Sequence, residues 1–502
     1  MDEYLGTSGT SELLRGERAH TPPPRYSEAL RGTPRYSWRV AAALFVLALG
    51  SYAYTFAGGG WNQNATFALV RSIVEERTLA IDKFAFTTGD VSFAGGHVYP
   101  NKPPGTALLA VPVYAVLVAV ERAAGVDIDA FKVTTFNAYV CTVFVCGILG
   151  ALIPALLFLY GRMRGIANAR WLIAVSIVIA FGTPLFGYAT ALFVHVPSAS
   201  LLFLAFVLAT AGRTTTAGFA AGLATAINYL CGPPALLLGL LLARRNIIRY
   251  AIGSIVPLAV LGVYQWLAFG SFLSTSIEHM NPQFVSQGAA FGVFSVPTVE
   301  ALWGVTFSHF RGLFFSAPVL LLAFAGVPSM WRRARPELLF ILATTIFFLF
   351  INASFNGWHG GASFSARYLV PIIPFLGVML LWSAAAKLPL SNAAAAAAAT
   401  LAIISIALQT LFVVVDIHAP DHIRSPITEF LVPQFISGGE AGHVATNDRS
   451  TTTCRCGSAW SSFNVAEKLF GQGSRLSILP LIAWMIAGSF FLFRYHRRME
   501  RG

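Results

Sequence analysis

The sequence predicts an all-α polytopic membrane protein with about 12 transmembrane helices, within bounds of about 11 to 13. Of the 502 residues, 56% are hydrophobic and only 11% are charged, whereas soluble domains carry about 25% charged residues. Apolar windows of about 20 residues, the length that crosses a bilayer, recur along the chain. Short arginine clusters separate the windows, as is typical of cytoplasmic loops. The clusters are Arg162, Arg164 and Arg170; Arg244, Arg245 and Arg249; Arg332, Arg333 and Arg335; and Arg494, Arg497, Arg498 and Arg501.

These clusters also account for the net charge of +12. The charge therefore indicates which loops lie in the cytoplasm, and it does not imply a nucleic-acid partner. Residues 1–37 are polar and proline-rich, and they are predicted to form a disordered cytosolic tail. Residues 38–493 are predicted to form one transmembrane domain, followed by a basic cytosolic tail at 494–502. With both termini inside, a first loop at 58–105 and a late loop at 416–476 lie outside.

Two apolar runs after the first loop complicate the count of spans. Runs 105–120 and 133–160 cannot both be simple spans if the cluster from Arg162 to Arg170 is to lie inside. Either the first run is a half-helix or re-entrant segment, or that cluster breaks the charge rule. We expect the former.

The first loop holds more charge than the rest of this apolar chain. From Ala65 to Thr78 the apolar residues recur at helical spacing. This pattern predicts a short amphipathic helix lying flat on the membrane, with Glu75 and Glu76 on its wet face.

Later in the loop, residues 91–94 and 97–100 flank Gly95 and Gly96. Two short apolar stretches around such a pair predict a β-hairpin with a two-residue turn and with Asp90 at its mouth.

The loop ends on Lys102, Pro103 and Pro104, which lead directly into an apolar helix. Proline suits the first helical turn, and a lysine just before a helix N-terminus is well placed to hold a phosphate group. One outer loop thus offers carboxylates that could take a proton from a hydroxyl and a cation that could hold a phosphate. Sugar transfer from a polyprenyl phosphate needs both.

The order of these features resembles the GT-C superfamily of integral-membrane glycosyltransferases. The similarity is greatest to the branch of protein mannosyltransferases and lipid A aminoarabinose transferases, and it covers roughly residues 38–493. Further segments similar to bacterial members follow in the same order: Gly182-Thr183-Pro184, Phe269-Gly270-Ser271, Arg311-Gly312-Leu313-Phe314-Phe315, Trp358-His359-Gly360-Gly361 and Ala366-Arg367-Tyr368.

The resemblance implies a GT-C-like fold in which Lys102 contacts the lipid phosphate. It also implies a catalytic aspartate near the start of the first loop, but this chain has Asn62, Gln63 and Asn64 there. The base can therefore not be carried over to that position. Asp82 and Asp90 are the remaining candidates for the base, and the choice between them stays open.

Other candidates for substrate or lipid-phosphate binding come from the outer ends of predicted spans. Arg367 is the preferred second cation because its loop is rich in glycine and aromatic residues, and Arg311 is the reserve. Four further side chains are placed where they could line the site: His195, His97, Tyr99 and Trp358.

Together these features predict an inverting glycosyltransferase of the bacterial cytoplasmic (inner) membrane, with its active site on the outer, periplasmic face. It would move a single sugar from a polyprenyl-phosphate donor to an envelope glycan, lipid or protein. The expected partners are this donor, the acceptor and membrane lipids. No cofactor is required, although the superfamily allows a divalent cation such as Mg²⁺ or Mn²⁺, and no metal-ligating residues are assigned.

Two alternatives remain. One is an O-antigen ligase or polymerase, because the late loop holds Asp416, His418, Asp421 and His422. The other is a multispanning transporter or lipid flippase, which would place ionisable residues within its spans. The predicted span centres hold almost none, which counts against the transporter.

Overall fold

The computed structural model describes residues 35–384, 391–437, 462–470 and 475–501. The predicted N-terminal tail lies outside this part of the chain up to residue 34, and so do residues 438–461 and 471–474 of the late loop.

The described chain is mostly helical, with four short strands in the loops. The helices are α1 Arg35–Tyr52, α2 Trp61–Arg71, α3 Gly105–Ala123, α4 Phe131–Met163, α5 Ala169–Phe181, α6 His195–Thr210, α7 Thr214–Ile227, α8 Gly232–Leu242, α9 Ile247–Phe269, α10 Val299–Thr306, α11 Val327–Arg333, α12 Arg335–Ser354, α13 Ile373–Ser383, α14 Asn392–Val415, α15 Val432–Ser437 and α16 Leu479–Arg501. Single helical turns lie at Leu185–Tyr188, Leu313–Ser316 and Glu467–Phe470, and the strands are β1 Thr55–Phe56, β2 Val91–Ala94, β3 His97–Pro100 and β4 Phe463–Asn464.

Six helices in the described ranges are long and apolar enough to cross a membrane. They are Gly105–Ala123, Phe131–Met163, Arg244–Phe269, Arg335–Ser354, Asn392–Val415 and Arg475–Arg497. Four shorter apolar helices accompany them: Ala169–Phe181, His195–Thr210, Tyr229–Leu242 and Arg367–Ser383. The chain is therefore a polytopic helical membrane protein, as its composition indicates. The count of about 12 spans stays a prediction.

The helix α3 is long enough to span a membrane, at 19 residues, and several contacts tie it to the first loop. That this run does not cross the membrane stays a prediction. Midway along it, Tyr114 donates a hydrogen bond of 2.5 Å to Glu75, which follows α2. Lys102 before the helix belongs to the first loop, and Asp129 after the helix forms an ion pair with Arg71 at the end of α2. Both ends of α3 therefore adjoin the first loop.

The helix α4 connects the two ends of the bundle. Near its start, Tyr139 donates to the carbonyl of Ala53 just beyond α1 at 2.8 Å, beside the first loop. Just past its other end, Arg164 forms an ion pair with Glu337 in α12, and both side chains are buried. The cluster from Arg162 to Arg170 thus lies at the end of the bundle away from the first loop.

The centre of the bundle is packed with aromatic rings from α6, α12 and α13. The ring of Phe206 lies 5.6 Å from those of both Phe340 and Phe375. Elsewhere glycine allows helices to approach closely: a Cβ on Gly218 of α7 would lie 1.9 Å from the carbonyl oxygen of Tyr250 in α9. Small residues at such crossings are the usual way in which membrane helices bring their backbones together.

The predicted hairpin is present in the first loop. Strands β2 and β3 pair antiparallel with Ala94 opposite His97. The turn residues Gly95 and Gly96 have φ of 59° and 81°, the left-handed conformation that such two-residue turns require of both residues. The N–H of Asn101 donates to the carbonyl of Asp90 at 3.0 Å and closes the mouth of the hairpin.

The predicted amphipathic helix is also present, but its polar residues are buried. Every residue of α2 from Asn62 to Arg71 is buried. The prediction of a wet face is wrong for Glu75, whose side chain is only 3% exposed and lies 2.7 Å from the Arg71 guanidinium. It holds for Glu76, which pairs with Lys83 at 2.6 Å in an exposed ion pair. The arginine and the Tyr114 hydroxyl compensate for burial of the Glu75 charge, which no periodicity in the sequence could reveal.

Distant segments fix the first loop in place. Ser92 in β2 donates to the carbonyl of Ser276 at 2.7 Å, and the N–H of Asn281 donates to Val91 at 2.9 Å. The late loop returns through β4, which pairs antiparallel with β1. Segments far apart in sequence therefore meet above the same end of the bundle.

Candidate active site

A cavity of about 530 Å³ lies where these loops converge. Its wall is formed by the start of α2, the mouth of the hairpin, and the loops around residues 280–286, 355–368 and 418–421. The charged and imidazole side chains on the wall are Asp90, Lys102, His359, Arg367, His418 and Asp421. Amides and aromatic rings supply much of the remainder, including Trp61, Asn62, Gln63, Asn101, Phe193, Gln283, Phe284, Phe355, Asn356 and Tyr368.

Asp90 and Lys102 stand together on this wall. The Lys102 Nζ lies 3.6 Å from the Asp90 Oδ2, and the two side chains are 23% and 15% exposed. The amide of Asn101 approaches the other carboxylate oxygen at 3.4 Å. The pair is loose, because both distances exceed those of a tight charge-assisted hydrogen bond. The lysine is therefore placed to turn toward an anion in the cavity.

Arg367 supplies a second cation to the same cavity. One guanidinium nitrogen donates to the Tyr368 hydroxyl at 3.2 Å. The buried Nε has no hydrogen-bond partner in the described part of the chain. The guanidinium also lies over the rings of Phe193 and Tyr368, at 5.4 and 5.0 Å from their centroids. A buried arginine with a donor to spare, beside an open cavity, is suited to an anionic ligand.

Asp82 and His97 lie together but away from this wall. The Asp82 carboxylate accepts hydrogen bonds of 2.7 Å from the His97 ring and of 2.7 Å from the Val98 N–H. Burial acts to raise the pKa of Asp82, but these two hydrogen bonds outweigh it and lower the pKa overall. The two side chains are 48% and 58% exposed, so the pair braces the outside of the hairpin.

Arg311 is almost completely buried, at 1% exposure, and does not line the cavity. Its guanidinium donates to backbone carbonyls, including His359 at 3.1 Å, Gly361 at 3.0 Å and Pro420 at 3.1 Å. Burial lowers its pKa to about 10. The arrangement ties the loop around residue 360 to the late loop.

Trp358 packs edge-on against the ring of Phe310, 6.2 Å away, behind the cavity wall.

Two further predicted residues lie behind the cavity wall. The His195 ring is 5.4 Å from that of Tyr368, which does line the cavity. Neither nitrogen of His195 has a hydrogen-bond partner in the described ranges. The Tyr99 ring packs edge-on against Phe269 at the end of α9, with the ring centroids 5.4 Å apart, and this contact supports the hairpin.

The structure places His418 and Asp416 beside the first loop, a contact that the sequence did not predict. His418 is 4% exposed, and its Nδ1 lies 2.8 Å from the Asp416 carboxylate. Its Nε2 lies 2.8 Å from the Gln63 amide nitrogen, on the cavity wall. Separated by 355 residues, Gln63 and His418 share no local sequence signal. The acidic and histidine-rich start of the late loop was the one available hint.

His359 is the other histidine on the wall. Burial lowers its pKa, and the nearby Arg311 charge acts in the same direction. In the described part of the chain, no three His, Cys, Asp or Glu side chains are grouped so that they could hold a metal ion. The dependence on a divalent cation stays a prediction.

No protein-family model matches the chain, and no curated protein gives a significant match. Among solved structures, the chain is similar to ArnT from Cupriavidus metallidurans bound to undecaprenyl phosphate. The identity is 14%, the alignment covers 90% of this chain and 76% of that one, and the TM-score is 0.44. The apo state of the same protein aligns at 15% identity over 91% and 72% of the two chains, with a TM-score of 0.43.

Proposed function

We propose that this protein is a glycosyltransferase that moves a single sugar from a polyprenyl-phosphate donor to an acceptor in the cell envelope. One observation carries the proposal. Lys102 and Arg367, which are predicted from the sequence as the phosphate-binding cations, reach the wall of one cavity although 265 residues separate them. A lipid phosphate placed between them would meet two positive charges at the end of a membrane-embedded bundle.

The two cations have complementary roles toward a leaving phosphate. The guanidinium of Arg367 is a rigid fork, and its unpartnered Nε can donate to a phosphate oxygen. The ammonium of Lys102 is a mobile point charge on a flexible stem. As the bond from the sugar to the phosphate breaks, negative charge grows on the lipid phosphate. Cations that contact the phosphate there stabilise the transition state more than the ground state.

The rest of the wall suits a sugar. Amide side chains such as Asn62 and Gln283 can both donate to and accept from hydroxyl groups. The ring of Trp61 lines the cavity and packs edge-on against Phe284 at 6.3 Å. This mixture of amides and aromatic surface supports binding of a neutral, hydroxyl-rich group beside the phosphate.

In this proposal the acceptor hydroxyl attacks the anomeric carbon in line with the departing phosphate, which inverts the configuration. The hydroxyl proton must go to a base on the cavity wall. Asp90 and His418 both reach the wall, whereas Asp82 is engaged with His97 outside it. We therefore remove Asp82 from the proposed chemistry and assign Arg311 to holding the loops.

The site is proposed to face the periplasm from the bacterial cytoplasmic membrane. The buried pair of Arg164 and Glu337 marks the end of α4 away from the first loop, beside the arginine cluster that the positive-inside rule places in the cytoplasm. The cavity adjoins the first loop, at the other end. A polyprenyl-phosphate donor in the outer leaflet could then enter from the side with its phosphate at the depth of the cavity.

The test is mass spectrometry of envelope glycans and lipids from cells with the gene, without it, and with the gene restored. We expect one sugar residue to be missing from one acceptor class in the deletion and to return with the wild-type gene, but not with the Lys102→Gln and Arg367→Gln double variant. Loss of a whole preassembled glycan would overturn single-sugar transfer in favour of a ligase. An unchanged envelope with altered solute uptake would overturn glycosyl transfer in favour of a transporter.

A further inference from the structure

We propose that His418, oriented by Asp416, is the base that takes the proton from the acceptor hydroxyl. This inference rests on the proposed glycosyl transfer and names the group that performs its proton step. It also gives Asp90 a different role, that of positioning Lys102.

The imidazole of His418 is held from both sides. Its Nδ1 lies 2.8 Å from the Asp416 Oδ1, and a protonated Nδ1 donates to that carboxylate. The lone pair is then on Nε2, where it accepts from the Gln63 amide at 2.8 Å on the cavity wall. The carboxylate thus selects the tautomer whose basic nitrogen reaches the cavity. It would also stabilise the imidazolium that forms when that nitrogen takes a proton.

Burial strengthens this assignment. Asp416 and His418 are 5% and 4% exposed, so water screens their interaction little. The N–H of His418 also donates to the Asp416 carboxylate at 2.8 Å. The second carboxylate oxygen is buried without a hydrogen-bond partner in the described ranges. The carboxylate therefore contacts both the ring and the backbone N–H of His418, and it keeps its second oxygen unused.

Neighbouring backbone fixes the position of the ring. The carbonyls of Ala419 and Pro420, which directly follow His418, accept from the Arg311 guanidinium at 3.4 and 3.1 Å. Gly60 packs close to the ring, because a Cβ there would lie 2.7 Å from the His418 Nε2. These contacts hold the imidazole in one position on the cavity wall.

Asp90 is less suited to this step. Its carboxylate lies 3.6 Å from Lys102, the cation proposed to hold the leaving phosphate. A base for in-line attack works on the face of the sugar opposite the leaving group, so a carboxylate beside that cation is on the wrong side. None of the hydrogen bonds of the His418 ring involves a cation. Asp90 is instead placed to orient the lysine.

The step is balanced without a further reactant. The acceptor oxygen forms a bond to the anomeric carbon, and the bond from that carbon to the phosphate oxygen breaks with its electron pair on the phosphate. The Gln63 amide, which donates to Nε2 of His418 in this structure, moves aside, and the hydroxyl proton passes to that nitrogen. The buried Asp416 carboxylate, which contacts Nδ1 of the ring, faces the resulting imidazolium. The side-chain carbonyl oxygen of Gln63, Oε1, is buried without a hydrogen-bond partner in the described chain. A flip of the Gln63 amide would let this oxygen accept a hydrogen bond from the protonated Nε2.

The test compares turnover with donor binding for His418→Gln, Asp416→Asn and a matched control, His422→Gln. His422 is exposed on the same loop. Turnover is read by mass spectrometry from the sugar that the wild-type gene restores in deletion cells. Binding is read from the affinity of each purified full-length variant for undecaprenyl phosphate. We expect His418→Gln to lower transfer by at least about 100-fold and Asp416→Asn by at least about tenfold, with binding unchanged in both. His422→Gln should match the wild type in both measurements.

Chemical rescue separates catalysis from folding. His418→Ala leaves space for a free imidazole, which should restore part of the transfer, and in that background Asp416→Asn should cost nothing further because the two residues act as a unit. The inference is overturned if the wild type transfers sugar, Lys102→Gln lowers donor binding, and His418→Gln stays fully active. It is also overturned if His418→Gln and His418→Ala both bind undecaprenyl phosphate normally but free imidazole restores no transfer to His418→Ala. The proposed function itself fails, separately, if the wild type neither binds undecaprenyl phosphate nor transfers sugar.

Discussion

The Lys102 ammonium lies 3.6 Å from the Asp90 carboxylate at the edge of the cavity. This loose pair joins the mouth of the hairpin to the start of α3. It gives the lysine a direction without occupying its three N–H donors, so the cation stays available to an anion. The relationship explains how a charged residue can be kept ready in a mostly apolar protein before its ligand arrives.

Replacing the lysine tests this role. Lys102→Gln should weaken the affinity for undecaprenyl phosphate by about tenfold to a hundredfold, which corresponds to the loss of a charge-assisted hydrogen bond worth about 1.5–3 kcal/mol. Binding to the purified protein is the measurement. Lys83→Gln is the matched control, because Lys83 belongs to the same loop but pairs with Glu76 in an exposed ion pair. Equal losses in the two variants would show that the effect is only one of net charge.

The two aspartates of the first loop should behave differently. Asp90→Asn should raise the Kd for undecaprenyl phosphate or slow transfer, since it releases Lys102. Asp82→Asn should leave both unchanged, because that carboxylate is occupied by His97 and the Val98 N–H away from the cavity. Activity of the two variants in deletion cells, at matched protein level, checks this contrast. Loss of transfer in Asp82→Asn alone would contradict it.

Asp82 should affect stability, with a defined dependence on pH. Its pKa is lower in the folded protein, so its contribution is present above the ordinary aspartate pKa of about 3.9 and is lost as the pH falls below that value. The effect is small because the side chain is 48% exposed. The melting temperatures of wild type and Asp82→Asn should therefore differ slightly at pH 7 and converge in acid. A gap that remains well below the aspartate pKa would refute the pairing.

Arg311 should matter for folding of the loops more than for the phosphate. Arg311→Met would leave several buried carbonyls without a donor, at a cost of about 1–3 kcal/mol for each one that water cannot reach. We expect a lower melting temperature and faster proteolysis of the loops. Arg332→Met is the control, because Arg332 is exposed at the C-terminal end of α11. A variant with normal stability and selectively lost donor binding would return Arg311 to the phosphate site.

Gly60→Ala tests whether the positions of His418 and Gln63 matter for transfer. The added methyl would lie 2.7 Å from the His418 Nε2 and 2.3 Å from the Gln63 Oε1, so one of these side chains must move. Transfer should fall while affinity for undecaprenyl phosphate is kept, because Lys102 and Arg367 are unaltered. Gly95→Ala makes a useful comparison, since no atom lies within 4 Å of a Cβ there. Its own strain comes from a φ of 59° and is confined to the tip of the hairpin.

Features with a local signal were predictable from the sequence. Adjacent glycines between short apolar stretches gave the hairpin with its turn at the right residues, and prolines marked the helix start after Lys102. Both depend on the backbone preferences of a few neighbouring residues. The helical class followed from the long apolar runs.

Features made by long-range packing were not predictable in this way. The burial of Glu75 depends on Arg71 and on Tyr114 from the next helix. The junction of Gln63 with His418 depends on the late loop folding back over the first. Arg311 had the sequence context of a ligand-binding arginine, yet backbone carbonyls from two other loops surround it. Such contacts arise from tertiary structure, which no single-sequence pattern encodes.

The central claim, transfer of one sugar from a polyprenyl phosphate, is tested most directly by measuring donor and product in the same cells. The strain would carry Lys102→Gln and Arg367→Gln in the chromosomal gene, and mass spectrometry would quantify polyprenyl-phosphate lipids and envelope sugars together. We predict that one polyprenyl-phosphate sugar accumulates while the same sugar disappears from one envelope acceptor. A donor pool and an envelope both unchanged from wild type, with the variant protein present at normal level, would contradict the account.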